Sequence, residues 1–166
     1  ALDRTGTDTS RHQYAGWLAS AGGPECAPWR NPDSRGENER MVSALSNVVI
    51  NAQRPRELAH FWCQVLGWQI VDEEEGVVSV AASANALPCL DFSPSQTPKV
   101  GPNRLHLDLR AQGNTTAEEL ARLLALGAVR ADVGQRPDVS WVVLADPEGN
   151  EFCLLSRSIE ELGALG

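Results

Sequence analysis

The chain has 166 residues, 42% of them hydrophobic, and a formal net charge of −8 at pH 7. That is enough for one domain with a real core, and it lacks the basic footprint that nucleic acid or an anionic membrane surface demands. No apolar run approaches the roughly 18 residues of a membrane span, and the N-terminus lacks a signal-peptide pattern, so the expected address is the cytoplasm. The cysteines, Cys26, Cys63, Cys89 and Cys153, are widely spaced with no Cys-x-x-Cys pair, which predicts reduced thiols rather than a disulfide framework or a zinc knuckle.

Residues 1–40 contain two residues from the set Val, Ile, Leu and Phe (Leu2 and Leu18), beside eleven charged side chains, five Gly and three Pro. Such a segment buries too little apolar surface to offset its chain entropy, so a disordered or loosely packed arm is expected there. The single methionine, Met41, stands where the composition turns globular, and the expectation is that it marks the natural start. A domain is expected over 41–158, with 159–166 as a tail whose Ile159–Leu165 stretch adds a last helical turn.

From Ser43 the chain reads strand, helix, strand, strand, strand, and then repeats that order, giving modules over 43–95 and 103–158. The first strand, Ser46 to Asn51, leads to Arg54-Pro55-Arg56-Glu57, where proline suits the first helical position and glutamate the first turn. Leu58, Phe61, Trp62, Val65 and Leu66 then form one apolar stripe ended by Gly67, which predicts a helix with His60 and Gln64 on its solvated side. Strands follow near Trp68–Asp72, Val77–Ala82 and Cys89–Ser93, the first two joined by the turn Glu73-Glu74-Glu75-Gly76.

The second module opens on Arg104–Arg110, which alternates strictly. Leu105, Leu107 and Leu109 share one side, and Arg104, His106, Asp108 and Arg110 the other, the period-2 pattern of a half-buried strand. A helix starts at Thr115 or Thr116 with Glu118 or Glu119 completing a capping box, and it carries Leu120, Leu123 and Leu124 before Gly127. Strands over Val129–Val133, Trp141–Ala145 and Glu151–Leu155 complete the module. Asp146-Pro147-Glu148-Gly149-Asn150 between the last two predicts a type I turn with a glycine bulge.

Both helices end in Leu-Gly, and counting from those glycines makes Asn47 and His106 mates, and Ser93 and Cys153 mates. Strand alternation places all four opposite the helix-packed side. Two βαβββ units with helices on one side leave a sheet whose other side closes over a ligand.

The segments Val48–Gly67, Asn103–Leu109 and Val143–Leu155, the last containing Asp-Pro-Glu-Gly-Asn-Glu-Phe, resemble glyoxalase-like proteins of the vicinal oxygen chelate superfamily. That superfamily also includes bleomycin-resistance proteins and extradiol dioxygenases. The resemblance spans roughly Met41–Ser158 and implies an α+β fold in which two βαβββ modules form a U-shaped mixed sheet around a cavity, helices on the outer face. It also implies a metal held from the first and fourth strands of each module, typically by His, Gln and Glu; those positions here hold Asn47, Ser93, His106 and Cys153. Only His106 is a standard ligand for such a centre. Two alternatives follow: a metal-free pocket, or a divalent metal held by His106, Cys153 and Asp91. For the pocket, the expected lining includes Asn47, Asn51, Asp91, Ser93, Arg104, His106, Asp108 and Cys153, with Arg104 suited to grip a ligand carboxylate. The expected function is small-molecule binding of the bleomycin-resistance kind, without a cofactor. The competing expectation is a metal-dependent lyase, isomerase or dioxygenase. The resemblance also implies a homodimer.

Overall fold

Each half of the chain pairs its own strands. The computed structural model of the protein describes residues 42–136 and 138–164; the expectations for residues 1–40, for Met41 and for Leu165 lie outside these. The first module comprises β1 (Asn47–Ala52), α1 (Pro55–Leu66), β2 (Gln69–Glu74), β3 (Val77–Ala81) and β4 (Cys89–Pro94). The second repeats it as β5 (Leu107–Leu109), α2 (Thr116–Ala125), β6 (Val129–Arg130), β7 (Val142–Ala145) and β8 (Glu151–Leu154), and α3 (Ile159–Gly163) follows. The sheets run β1-β4-β3-β2 and β5-β8-β7-β6. In each, the first strand lies parallel to the fourth and the other neighbours are antiparallel. This is the α+β arrangement of paired βαβββ modules expected from the sequence, and neither sheet closes into a barrel.

The local chemistry explains the elements. In α1 the stripe Leu58, Phe61, Trp62 and Val65 is buried against the sheet residues of like parity, Val78, Val80, Leu90 and Phe92. Gly67 ends the helix at φ 67°, a left-handed position that costs glycine nothing. Of the two capping alternatives for α2, Thr115 and Glu118 form the box, leaving Glu119 free for another role. The β2–β3 turn places Glu75 at φ 51° and Gly76 at φ 82°, the mirror-type turn whose twist suits a two-residue hairpin. In the Asp146–Asn150 turn, Gly149 N donates to Asp146 O at 2.9 Å and Gly149 sits at φ 84°. That is a type I turn with a glycine bulge.

Among the described residues the modules meet along α1 and at its two ends. Trp62 packs its indole on Phe152 of β8, with ring centroids 5.2 Å apart. Its Nε1 donates to Asp146 Oδ2 at 3.2 Å. The N-terminus of α1 has no side-chain cap of its own; instead Glu148 of the β7–β8 turn accepts from Gln53 N and Arg54 N, each at 2.8 Å. A carboxylate there also meets the positive end of the helix dipole. At the other end, Arg122 of α2 donates to the carbonyls of Gln64 and Val65 at 2.9 Å, satisfying acceptors that the helix leaves open. Glu119 holds that guanidinium through two oxygens, at 2.9 and 2.7 Å.

Several predicted strands are shorter than their patterns suggest. The strand expected over Arg104–Arg110 contains only Leu107–Leu109, so Arg104 and His106 lie before it, and Leu105 is 65% exposed rather than covered. The cause is its neighbour. β8 begins at Glu151 because the Asp146–Asn150 turn precedes it, and Asn103 engages Glu151 through its N–H and its amide. No ladder partner remains for Arg104–His106. Likewise β6 ends at Arg130, short of Val133: after one further bond from Ala131 N to Val143 O, Gly134 turns at φ 79° with Asp132 accepting its N–H.

Candidate functional site

The strand registers place the predicted site residues. Asn47 pairs with Cys89, Val49 with Asp91, and Asn51 with Ser93, all on the side of the first sheet opposite α1. Asp91 is 2% exposed. Asn47 Nδ2 donates to its Oδ2 at 2.5 Å, and Ser46 Oγ in turn donates to Asn47 Oδ1. Asp91 Oδ1 is buried with no partner among the described residues. Burial raises the Cys89 thiol pKa, and the Asp91 carboxylate adds to the rise.

In the second module Asp108 pairs with Cys153. Burial, helped by the charge of Asp108 and a hydrogen bond to it, pushes the Cys153 thiol up to about 11, so it stays protonated at neutral pH. His106, exposed and outside the sheet, makes a contact of 3.2 Å between Nε2 and the carbonyl of Asn103. The registers also refine the symmetry between modules. If Asn47 and His106 are mates, then Val49 matches Asp108, and the mate of Cys153 is Asp91 rather than Ser93, because the second module is two residues longer between its helix-ending glycine and its last strand.

These residues do not fit the metal centre that the resemblance implies. The amide of Asn47 is turned to Asp91, the Cys153 thiol is engaged with Asp108, and His106 lies off its strand. Among the described residues no three His, Cys, Asp or Glu side chains are gathered as a metal would need, so His106, Cys153 and Asp91 are not brought together. A divalent ion requires several charged or imidazole donors converging on one point.

What the structure does form is a cleft of about 400 Å³ where the end of β1 approaches the start of β5. Val49, Ile50, Leu105, Leu107 and the edge of Trp62 give it apolar walls; Asn51, Arg104 and Asn150 give it polar ones. Of the predicted pocket residues it includes Asn51 and Arg104. Asn47, Asp91, Ser93, His106, Asp108 and Cys153 do not line it. The linker residues Ser95, Thr97, Lys99 and Asn103, and Glu148 and Glu151 of the turn and β8, also line it. Sequence pattern missed these because the linker has no periodicity to read. The one signal was the Asp-Pro-Glu-Gly-Asn-Glu string, which the structure shows at the cleft wall. Lys99 Nζ bonds Glu151 Oε1 at 2.8 Å. Burial alone would raise the Glu151 carboxyl, but Lys99 and the N–H of Asn103 outweigh it and hold the pKa below the usual value.

A pair of βαβββ modules arranged in this way defines a recognisable class. The family model described as "Glyoxalase-like domain" matches residues 47–155, and the chain belongs to that family. No curated protein matches the chain significantly in sequence. Among solved structures, the chain is similar to a glyoxalase/bleomycin resistance protein/dioxygenase family enzyme from Burkholderia phytofirmans PsJN, at TM-score 0.53 and 19% identity over 68% of this chain and 97% of that one. It is also similar to a variant of the fosfomycin resistance protein FosX from Listeria monocytogenes, complexed with Mn(II) and 1S,2S-dihydroxypropylphosphonic acid, at TM-score 0.56 and 15% identity over 73% of this chain and 95% of that one. A third is TnmS3, an antibiotic binding protein from Streptomyces sp. CB03234, at TM-score 0.50 and 20% identity over 70% and 98%. Among the described residues no helix is long and apolar enough to cross a membrane.

Proposed function

We propose that this domain binds a small organic molecule without a resident metal, as a sequestering protein of the bleomycin-resistance kind. The observation that carries this is the cleft between β1 and β5: about 400 Å³, within the size range of small-molecule pockets, with apolar walls and a few polar groups. The exposure of Val49 and Leu105, 50% and 65%, leaves apolar surface there that a ligand would cover. Asn51 and Arg104 orient the ligand. Asn47, Asp91, Ser93, Asp108 and Cys153, on the helix-free side of the sheets, and His106 at the edge of the second, form the wider binding face. The same fold serves TnmS3, an antibiotic-binding protein, and FosX, seen with Mn(II). A homodimer, common among proteins of this kind, is part of the proposal and is checked by sedimentation equilibrium.

A thermal-shift screen of small organic molecules on chelator-treated protein tests the reading. A ligand at 100-fold excess over its Kd stabilises the folded state by about 2.7 kcal/mol, a rise of several degrees in Tm. Hits without metal support binding of this kind. Hits that appear only after Mn(II), Fe(II), Ni(II) or Zn(II) is added, with stoichiometric metal by elemental analysis, overturn the metal-free reading in favour of the metal-dependent alternative.

A further inference from the structure

We infer that the cleft between β1 and β5 takes a small molecule with an anionic group, a carboxylate, phosphonate or phosphate, on an apolar body, and that Arg104 is the group that recognises the anion. The inference rests on the binding role proposed for this cleft and specifies the ligand class.

The charges in the cleft wall differ in how they are engaged. Four side chains there carry full charge: Lys99, Arg104, Glu148 and Glu151. Three are already engaged. Lys99 Nζ lies 2.8 Å from Glu151 Oε1 and donates to the carbonyl of Gly101 at 2.6 Å, and the second oxygen of Glu151 accepts from Asn103 N at 3.0 Å. Glu148 uses both oxygens on the two backbone N–H groups at the start of α1, against the positive end of that helix. Arg104 makes no ion pair with any of the described residues. Glu151 is thus paired with Lys99, Glu148 keeps its charge but turns both oxygens to the start of α1, and the guanidinium of Arg104 is the cation of this wall that has no ion pair among the described residues.

The neighbouring groups fit the same chemistry. A guanidinium presents a planar fork of N–H donors that matches two oxygens of a carboxylate or phosphonate, and Asn51, exposed at the end of β1, offers an amide N–H nearby in the wall. Val49 and Leu105 supply exposed apolar contact beside them. An amine-bearing ligand would compete with Lys99 and the start of α1 for the carboxylates of the wall and would meet Arg104 as a like charge.

The test is a titration of the full chain followed by ¹H–¹⁵N chemical shifts, with four probes sharing one ring: benzoate, phenylphosphonate, benzamide and benzylamine. The expected result is that benzoate and phenylphosphonate shift the signals of Asn51, Leu105 and Leu107 and bind about tenfold or more tightly than benzamide, the margin of one charge-assisted hydrogen-bonded pair. Benzylamine is expected to bind weakest. In Arg104→Gln, an exchange at an exposed residue outside any strand, the anions fall to the affinity of benzamide. Equal binding of benzamide and the anions at those same signals overturns the ligand class while leaving the cleft a binding site. No shift at the cleft with any probe overturns both.

Discussion

Asp146 gives the sharpest test of how the two modules are held together. It is 2% exposed and accepts from Glu148 N and Asn150 N through Oδ1, each at 2.9 Å, and from Asn150 Nδ2 and Trp62 Nε1 through Oδ2 at 2.9 and 3.2 Å. In Asp146→Asn one carboxylate oxygen becomes an NH₂ group. Whichever way the amide turns, it points a donor at two donors. Trp62 is 1% exposed, so its indole N–H finds no water in exchange. Two buried hydrogen bonds lost at about 1–2 kcal/mol each predict a loss of about 2–4 kcal/mol in unfolding free energy. Urea unfolding of the variant, of Trp62→Phe and of the double variant measures it and isolates the contact, with a coupling of about 1 kcal/mol expected between the two sites. The pH dependence is an independent check. Burial raises the Asp146 carboxyl, and its four donors only partly offset that, so the folded chain keeps this proton to higher pH than the unfolded one. The stability this contributes is fully present below the ordinary aspartate range and declines as pH rises through the raised value. That decline disappears in Asp146→Asn. A loss below about 1 kcal/mol, with additive single variants, refutes the role given to this turn.

Other consequences follow from single residues. Arg122→Ala removes the donors to Gln64 O and Val65 O and leaves Glu119, 8% exposed, without its cation, so urea unfolding should show a loss of about 2–3 kcal/mol. The Glu119 carboxyl is held below its usual range chiefly by Arg122, so its stabilisation is present above the ordinary glutamate pKa and is lost as pH falls through the lowered value. In Arg122→Ala that acid-side loss flattens. Glu75→Gly should raise stability by about 1 kcal/mol, read as a higher Tm, since Glu75 occupies φ 51° where a side chain is disfavoured. Cys153, with its thiol at about 11, should resist iodoacetamide at pH 8. In Asp108→Asn its alkylation should begin at lower pH, scored by peptide mass, because the adjacent negative charge is gone.

How much of this was legible beforehand depends on periodicity. α1 and α2 were readable because stripes such as Leu58–Phe61–Trp62–Val65 and a capping box at Thr115 express the helix period directly. The β7–β8 turn was readable because Pro147 and Gly149 have few other uses. The strand pattern at Arg104–Arg110 misled, since alternation records which side chains can face apart and says nothing of whether a neighbour has backbone groups to pair with. Here Asn103 and the Asp146–Asn150 turn had taken them, and His106 fell outside the sheet. The cleft was only half legible. Asn51 and Arg104 were named from strand parity, whereas Lys99, Asn103 and Glu148 reach it through loops whose course no residue pattern specifies, and Glu151 joins them from the first position of β8. Counting from the helix-ending glycines paired Cys153 with Ser93, because an insertion of two residues in a connection is invisible until strand registers are known.

The central claim, a metal-independent small-molecule cleft between β1 and β5 on a glyoxalase-like fold, is met most directly by native mass spectrometry of chelator-treated protein incubated with a mixed library of small organic acids, amides and amines. The account predicts an adduct of one molecule per chain in the presence of chelator, drawn from the acids and lost in Arg104→Gln. An adduct that requires added metal, or no adduct from any of the three classes, contradicts it; an adduct that Arg104→Gln leaves intact overturns the ligand class alone.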